Sequence, residues 1–254
     1  AKDQHGGGIF NNNAGTVTLT NSTVSWNEAP YNGGGIFSNG NKGVVTLSNS
    51  TVSGNTAYHG GGMFLDHGTV TLTNSTVSGN TGMNGGGIYK NAATVTLTNS
   101  IVANNPSGGD CYLYVATSPL TSQGYNLNGD NSCGLTEDTD MSNTDPKLGP
   151  LRDNGGPTLT HALLQGSPAI DAIPTSECEL DRDQRDETRP HGTGCDIGAF
   201  EVAGQPQPEP AREVTNPNDS GSGSLRDAID SSSDGDTITF ADHVTGAIPL
   251  SSEL

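Results

Sequence analysis

Two runs of acidic residues carry the carboxylate oxygens that Ca²⁺ prefers as ligands. The first run contains Glu137, Asp138, Asp140 and Asp145, and the second contains Asp181, Asp183, Asp186 and Glu187. Neither run has the ligand spacing of an EF-hand loop, and arginines are interleaved with the second run. Calcium binding by these aspartates, Asp186 excepted, is one prediction. Solvated loops with a structural ion-pair network are the alternative, and the sequence indicates no other cofactor.

The four cysteines, Cys111, Cys133, Cys178 and Cys195, could form two disulfides. None belongs to a Cys-x-x-Cys pair, and no histidine lies at zinc-finger spacing, so a zinc site is not indicated. Of the three possible pairings we predict Cys111–Cys133 and Cys178–Cys195, because sequence neighbours close short loops. Disulfides persist in oxidising compartments, so this prediction favours an extracellular protein. Four reduced thiols are the alternative.

A third group of residues could present hydroxyl groups in a regular array. Threonine alternates with Val and Leu in residues 16–20, and this pattern returns three times. The alternating positions are Thr18, Thr46, Thr71 and Thr96 in one rank, Thr20, Ser48, Thr73 and Thr98 in the next, and Thr16, Val44, Thr69 and Thr94 in a third. On one exposed face they would form an uncharged Thr-x-Thr surface that resembles those of ice-binding proteins and could also bind a glycan. The high β-propensity of threonine explains the same pattern without a ligand.

The composition argues against a conventional globule and against a nucleic-acid binder. Leu, Ile, Val and Phe make up 46 of 254 residues, glycine makes up 36, and the net charge is −18. So few apolar residues with so high a charge usually indicate disorder. Nucleic-acid binding needs Lys and Arg to contact phosphates, and the chain has only ten of them. No apolar run approaches the length of a membrane span, so none is predicted.

Internal repeats override the expectation of disorder. A glycine triplet followed by two apolar residues begins at Gly6, Gly33, Gly60 and Gly85, so the unit is 25 to 27 residues long. The threonine-rich block recurs in step, and its period of two is typical of strands with one buried face. A fixed period of this length indicates stacked coils. We therefore predict an all-β parallel β-helix, a solenoid with coils of about 25 residues.

Stacking of the coils would align equivalent residues into ladders. The predicted interior ladders are Val17, Val45, Val70 and Val95, and Leu19, Leu47, Leu72 and Leu97. At one corner, Asn27, Asn55, Asn80 and Asn105 recur, where asparagine tolerates a left-handed backbone and can pair its amide with the next coil. Asn21, Asn49 and Asn74 begin N-glycosylation tripeptides, but a structural ladder explains their spacing without a sugar and is the favoured interpretation.

Two resemblances to known families support this architecture. The Gly-Gly-Gly-Ile-Phe and Asn-Ser-Thr-Val-Ser-Gly-Asn units resemble repeats of right-handed parallel β-helices in large bacterial surface proteins. Residues 106–201 resemble a choice-of-anchor Q domain. Its motifs occur in family order at residues 144–151, 153–158, 160–163, 166–172, 183–185, 189–190 and 195–201. This resemblance implies a secreted bacterial β-helix protein, usually with a surface anchor after the domain.

Four segments follow from these patterns: regular repeats at 1–105, irregular coils at 106–203, a Pro-rich linker at 204–213 and a last segment at 214–254. In the last segment, residues 224–229 resemble the capping helix that precedes the first coil of such β-helices. We predict a short capping helix near 224–231, followed by first strands of a further β-helix or of a neighbouring subunit. The residues predicted to make this assembly contact are Leu225, Ile229, Ile238 and Phe240.

The sequence predicts a non-enzymatic, extracellular structural or adhesive protein, secreted or held at a cell surface. Its partners would be cell-surface or matrix components, or other copies of itself in a head-to-tail filament, because the chain begins directly with a repeat whose strand edges a cap could cover. A polysaccharide lyase or hydrolase of the pectate-lyase-like class is one alternative. Residues 1–105 contain no arginine, and their three acids fall at non-equivalent positions, so no hydrolytic acid pair can be built there. Ice or glycan binding by the threonine ranks is the other alternative.

Overall fold

The structure is a computed structural model of the chain. It describes residues 5–115, 119–203, 212–221, 223–230, 238–241, 244–245 and 248. The chain divides into two compact units, Ala1–Ala203 and Gly204–Leu254.

In the first unit, each coil contributes one strand to each of three parallel sheets. Sheet 1 contains β1 (Ile9–Asn12), β5 (Ile36–Asn39), β9 (Met63–Leu65), β12 (Ile88–Lys90) and β15 (Cys111–Leu113). Sheet 2 contains β2 (Thr16–Thr20), β6 (Val44–Ser48), β10 (Thr69–Thr73), β13 (Thr94–Thr98) and β16 (Thr121–Ser122). Sheet 3 contains β3 (Thr23–Ser25), β7 (Thr51–Ser53), β11 (Thr76–Ser78), β14 (Ile101–Ala103), β17 (Leu127–Asn128) and β18 (Met141–Ser142). On a short fourth side, β4 (Glu28–Asn32) pairs with β8 (Thr56–His59). The predicted all-β parallel β-helix is confirmed, with about five coils.

The strand register produces the predicted interior ladders of valine and leucine. Val17, Val45, Val70 and Val95 pair in succession, and the leucines two residues further on do the same. In the second to fourth coils these side chains are at most 1% exposed. Each fully buried Val or Leu stabilises the fold by roughly 1.5–3 kcal/mol, so a chain with few apolar residues still builds a continuous core.

An asparagine ladder runs along one interior corner. Asn27, Asn55 and Asn80 each donate Nδ2–H to Oδ1 of the next asparagine at 2.9–3.0 Å. The last, Asn105, donates to the Asp110 carboxylate at 2.8 Å. The left-handed backbone predicted for these asparagines lies instead on the residue before each, which is Trp26, Gly54, Gly79 or Asn104. The ladder residues therefore serve the corner through their amides.

The glycine triplets form the corner before sheet 1. Gly60 has a φ of +61°, and a Cβ on Gly61 would lie 2.2 Å from the carbonyl oxygen of Thr81. A side chain at either position would force the backbone apart, which explains why the repeat requires glycine.

The coils end earlier than the sequence analysis predicted. After Ser142 the chain folds back along the outside of sheet 3, and we call residues 146–201 the return segment. It contains two antiparallel pairs, β19 (Leu148–Arg152) with β20 (Thr160–Leu163), and β21 (Ile173–Pro174) with β22 (Gly194–Cys195). A 3-10 helix occupies Thr175–Glu177. Irregular coils therefore continue to about residue 142 and not to about residue 200.

A second hydrophobic core explains this reversal. On the outer face of sheet 3, coils one to three present Thr and Ser, but the fourth coil presents Ile101 and Ala103. These two residues and Leu127 pack against Leu163, Ile173, Ile197 and Phe200 of the return segment. The change from Thr and Ser to Ile101 and Ala103 at the fourth coil is the feature of the sequence that indicates this contact.

The two disulfides join the sequence neighbours, as predicted. Cys111–Cys133 lies within the core of the coils, and Cys178–Cys195 closes part of the return segment. Among the residues that the structure describes, no helix is long and apolar enough to cross a membrane.

The second unit contains the predicted short helix, α1 (Leu225–Asp230), with β23 (Arg212–Val214) and β24 (Ile238–Phe240). The two strands are parallel, and their register pairs Arg212 with Ile238, 26 residues further on. This spacing equals one coil of the first unit. Residue 231 of the predicted cap and residues 204–211 of the predicted linker lie outside the described residues.

Candidate functional site

The threonine ranks lie on the outer face of sheet 2, and equivalent residues of successive coils pair directly with each other. Thr18, Thr46, Thr71 and Thr96 pair in succession, and β16 adds Thr121 to the rank. Their side chains are exposed or half-buried, whereas the intervening Val and Leu point inward. We call these outward residues of sheet 2 the threonine plane. Within the described part of the chain, their hydroxyl groups have no hydrogen-bond partner.

A second surface, which the sequence analysis did not identify, lies on the outer face of sheet 1. The second apolar residue after each of the four glycine triplets points outward and stacks on its equivalent in the next coil, and Tyr112 of the fifth coil continues the stack without a triplet before it. Phe10, Phe37, Phe64, Tyr89 and Tyr112 form this stack, with centroids 4.6–5.4 Å apart. The signal in the sequence was the recurrence of an aromatic residue at one outward position.

Further rings extend the stack sideways. His5 lies 5.0 Å from Phe37 and His59 lies 5.2 Å from Tyr89, between ring centroids. Tyr31, Tyr58 and Tyr114 contact the edges of this group. We call the ten rings the aromatic flank: His5, Phe10, Tyr31, Phe37, Tyr58, His59, Phe64, Tyr89, Tyr112 and Tyr114. It is one connected ring network that spans five coils.

The aromatic flank combines a buried centre with accessible margins. Phe37, Phe64 and Tyr89 are only 5–9% exposed, because neighbouring rings cover both of their faces. Tyr31, Tyr58 and Tyr114 are 48–63% exposed. The centre therefore holds the accessible rings on a rigid support.

Polar side chains line the aromatic flank on its sheet 2 side. Asn12, Asn39, Asp66 and Asn91 follow the stacked rings by two residues. Asn91 Nδ2 donates to Asp66 Oδ1 at 2.6 Å, and His67 Nδ1 lies 3.0 Å from Asp66 Oδ2. A cleft of about 540 Å³ adjoins this row and includes Lys42 and His67 in its lining. Ring surfaces thus stand next to amide and carboxylate groups.

The predicted calcium residues do not converge. Asp138, Asp145 and Asp181 are exposed, and Asp140 Oδ1 accepts hydrogen bonds from Ser122 and Asn126. Asp183 is fully buried and paired with Arg185 at 2.7 Å. No three potential metal ligands come together anywhere in the described ranges.

Asp183 belongs to a buried ionic network that holds the end of the return segment together. Arg189 pairs with Glu201 at 2.9 Å, and both are almost completely buried. Burial, and then the charge of Glu201, raise the pKa of Asp196 to about 7. Burial also raises the pKa of Glu201. Of these acidic groups, only Asp183 was a predicted calcium ligand, and the structure pairs it with Arg185.

A serine–histidine contact joins sheet 3 to the return segment. Ser53 Oγ lies 2.8 Å from His161 Nε2, and His161 Nδ1 lies 2.7 Å from the carbonyl oxygen of Gly149. Since a carbonyl only accepts, Nδ1 carries the proton and Nε2 accepts from the Ser53 hydroxyl. Burial lowers the pKa of His161, which favours this neutral form. Both residues are under 9% exposed, so the pair fastens the return segment to the coils.

Comparison with known proteins identifies one family. A family model described as "right handed beta helix region" matches residues 2–145, which is more than half of the chain. Its boundary falls close to Ser142, where the coils end. Searches of curated proteins and of solved structures returned no match.

Proposed function

Since the chain belongs to the family of right-handed β-helix proteins, we propose that it is a non-enzymatic, extracellular adhesion protein that binds a neutral polysaccharide through the aromatic flank. The observation that carries this proposal is the continuous network of ten rings on the outside of the coils. Extended apolar patches on the surface of a soluble protein usually mark an interaction site.

The chemistry of the flank favours a sugar polymer as the ligand. Exposed tyrosines offer a flat apolar face together with a hydroxyl group, which suits a ring that is apolar on its faces and polar at its rim. The row of Asn12, Asn39, Asp66 and Asn91 supplies hydrogen-bonding groups beside the rings. One ring is presented per coil, about every 4.8 Å, so a polymer lying along the solenoid would meet a ring at each coil.

Charge favours a neutral polymer over an acidic one. Residues 1–105, which supply eight of the ten rings of the flank, contain three lysines, three acidic residues and no arginine, so the net charge of −18 lies in residues 106–254. Of their lysines, Lys90 is fully buried and Lys42 lies in the cleft beside the flank. An acidic polymer would therefore find little accessible positive charge beside the flank to pair with its carboxylates.

The extracellular location rests on two disulfides, which persist in oxidising compartments. The resemblance of residues 106–201 to choice-of-anchor Q domains supports a secreted bacterial protein at a cell surface. A non-enzymatic role is consistent with the use of the shifted acids, Asp196 and Glu201, in a buried structural network.

Affinity electrophoresis tests the proposal with galactomannan and hydroxyethylcellulose as neutral probes and polygalacturonate as the acidic probe. Retardation by a neutral probe, weakened about two- to tenfold in Tyr58→Ala, is expected from loss of a ring contact of ~0.5–1.5 kcal/mol. Trp26→Ala is the control, because Trp26 is 65% exposed but lies outside the flank. Retardation by polygalacturonate alone, or equal effects of both substitutions, would contradict it. Release of reducing ends from any probe would establish an enzyme instead.

A second proposal concerns assembly, and the 26-residue register of β23 and β24 favours it. These strands stack as two successive coils do, with α1 beside them. We propose that this unit caps or extends the β-helix of a neighbouring subunit. The contact would be made through Leu225, Ile229, Ile238 and Phe240, and its repetition from subunit to subunit would form a head-to-tail filament. Deletion of residues 212–254 should abolish filaments seen by electron microscopy. Unchanged filaments in the truncated protein would refute this.

A further inference from the structure

The threonine plane is nearly uniform in its chemistry. It comprises thirteen outward positions of sheet 2, and twelve of them carry a hydroxyl group, Val44 being the exception. Each threonine hydroxyl is one donor and two acceptors, beside a methyl group. No charged side chain and no aromatic ring projects from these positions.

The plane is also regular and stiff. The strands β2, β6, β10 and β13 pair residue by residue without a bulge. Hydroxyl groups therefore repeat at about 4.8 Å between coils and at about 6.6 Å along each strand. Beneath them, the Val and Leu ladders of the second to fourth coils are at most 1% exposed, so the spacing is held by a packed interior.

On sheet 3, the return segment covers the outward threonine residues. Thr23 Oγ1 donates to the carbonyl oxygen of Leu159, and Thr51 Oγ1 donates to Gln184 Oε1. At the fourth coil the return segment covers sheet 3 with apolar side chains, and Ile101 and Ala103 take the places of Thr and Ser. A covered rank is thus either hydrogen-bonded or replaced by apolar residues.

On sheet 2 the outward threonines are neither hydrogen-bonded through their hydroxyl groups to described residues nor replaced by apolar residues at the fourth coil. Thr96 of the fourth coil and Thr121 of the fifth keep the rank that Thr18 begins. Their hydroxyl groups lack a protein partner among the described residues. This face therefore suits an occupant that is uncharged, periodic and able to hydrogen-bond at every site. Without an aromatic ring, it offers a sugar no stacking platform, and this favours water itself over a glycan.

We propose that the threonine plane binds ice. Its hydroxyl groups take the places of water oxygens in a hydrogen-bonded lattice, and the intervening methyl groups order the water between them. The lattice of ice is uncharged and repeats over distances of the same order as those of the plane. The inference is independent of the aromatic flank, which lies on sheet 1.

Thermal hysteresis and ice recrystallisation of the full chain, with its disulfides intact, test this inference. The unaltered protein is expected to slow recrystallisation at micromolar concentration. Thr71→Tyr, at the centre of the plane, should lower that activity at least tenfold, because one bulky ring holds the lattice away from its neighbours. Thr56→Tyr is the matched control, since Thr56 is an exposed strand residue of β8 outside the plane. Circular dichroism establishes that both variants fold.

Thr71→Val separates the hydroxyl from the methyl contribution, and a partial loss of activity is expected. Tyr58→Ala in the aromatic flank should leave ice activity unchanged, which distinguishes this inference from the proposed polysaccharide binding. Absence of hysteresis and of recrystallisation inhibition in the unaltered protein would overturn the inference. Equal activity of Thr71→Tyr and Thr56→Tyr would overturn it as well, and so would binding to crystalline cellulose that Thr71→Tyr abolishes while ice is unaffected.

Discussion

Ser53 and Asp110 illustrate how single polar residues hold the β-helix together. The Ser53 hydroxyl connects the coils to His161 of the return segment at 2.8 Å. The Asp110 carboxylate ends the asparagine ladder, accepting from Asn105 and Asn128. Burial raises the pKa of Asp110 to about 6. Such buried polar groups are costly to leave without partners, so each position tolerates few substitutions.

Replacement of Ser53 by alanine should destabilise the protein by about 1–3 kcal/mol, because it leaves His161 Nε2 buried without a donor. Urea denaturation measures the change. Ser25→Ala is the matched control, since Ser25 occupies the same position one coil earlier and its hydroxyl has no partner in the described ranges. Equal stability of the two variants would refute the role assigned to the Ser53–His161 contact.

Stability should rise as the pH falls from 8 to 6.5. The pKa of Asp196 is raised to about 7 in the folded protein from an ordinary value of 3.8, so its protonation favours folding. This contribution is fully present below pH 3.8 and is lost as the pH rises through 7. The slope from one such group is at most about 1.4 kcal/mol per pH unit.

Asp196→Asn should flatten this slope when stability is measured by urea denaturation at each pH. Asp110→Asn should reduce the pH dependence of stability that remains near pH 6. The lowered pKa of His161 acts in the opposite direction below its ordinary value of 6.5, which is why the range from pH 8 to 6.5 is decisive. An unchanged slope in Asp196→Asn would show that the network does not titrate there.

At the scale of the strand, alternation separates core from surface. In β10, Val70 and Leu72 point inward and are not exposed at all, whereas Thr71 points outward. The same division holds in sheet 1, where Ile88 is interior and Tyr89 stacks outside. A parallel stack in register therefore converts one repeated strand pattern into two surfaces, the threonine plane and the aromatic flank.

Leu72→Asp should be severely destabilising, by about 3–5 kcal/mol, since it buries a charge without a partner. The melting temperature should fall by roughly 10 °C for a domain of this size. Thr71→Asp, one residue away on the outer face, should change the melting temperature little. A melting temperature unaffected by Leu72→Asp would contradict the assignment of this ladder to the interior.

At the scale of the whole molecule, the first unit consists of a coil stack and a return segment fastened to it. Fastening relies on the second hydrophobic core, on hydrogen bonds such as Gln184–Thr51 at 2.6 Å, and on Cys178–Cys195 within the segment. The stack has its own core and its own disulfide, Cys111–Cys133. The two parts should therefore differ in local stability.

Replacing Cys178 and Cys195 together by alanine should loosen the return segment and leave the coils folded. A disulfide closing a loop of about this length contributes about 3 kcal/mol. Hydrogen exchange should accelerate in residues 160–200, with β10 still protected. The control is the paired replacement of Cys111 and Cys133, which should affect the last coils. Uniform acceleration across the first unit would indicate one cooperative unit instead.

The amino-acid sequence by itself determined the β-helix, its coil length and the interior ladders, and it favoured the disulfide pairing that the structure contains. These features are local or periodic: a period of two within strands and of 25 to 28 residues between them leaves one stacking register, as the pairing of Val45 with Val70 shows. Neighbouring cysteines needed only short loops. Such features can be derived without knowing how distant segments meet.

Only the tertiary structure decided where the coils end and which outer faces stay uncovered. The return segment meets the coils across long sequence separations, as in the contact of Thr51 with Gln184, and no periodicity encodes such a contact. The calcium prediction depended on this same placement, because the aspartate at 183 is satisfied by Arg185 and by backbone amides of the return segment. The aromatic flank likewise emerged only when stacking brought single rings, one from each coil, into contact.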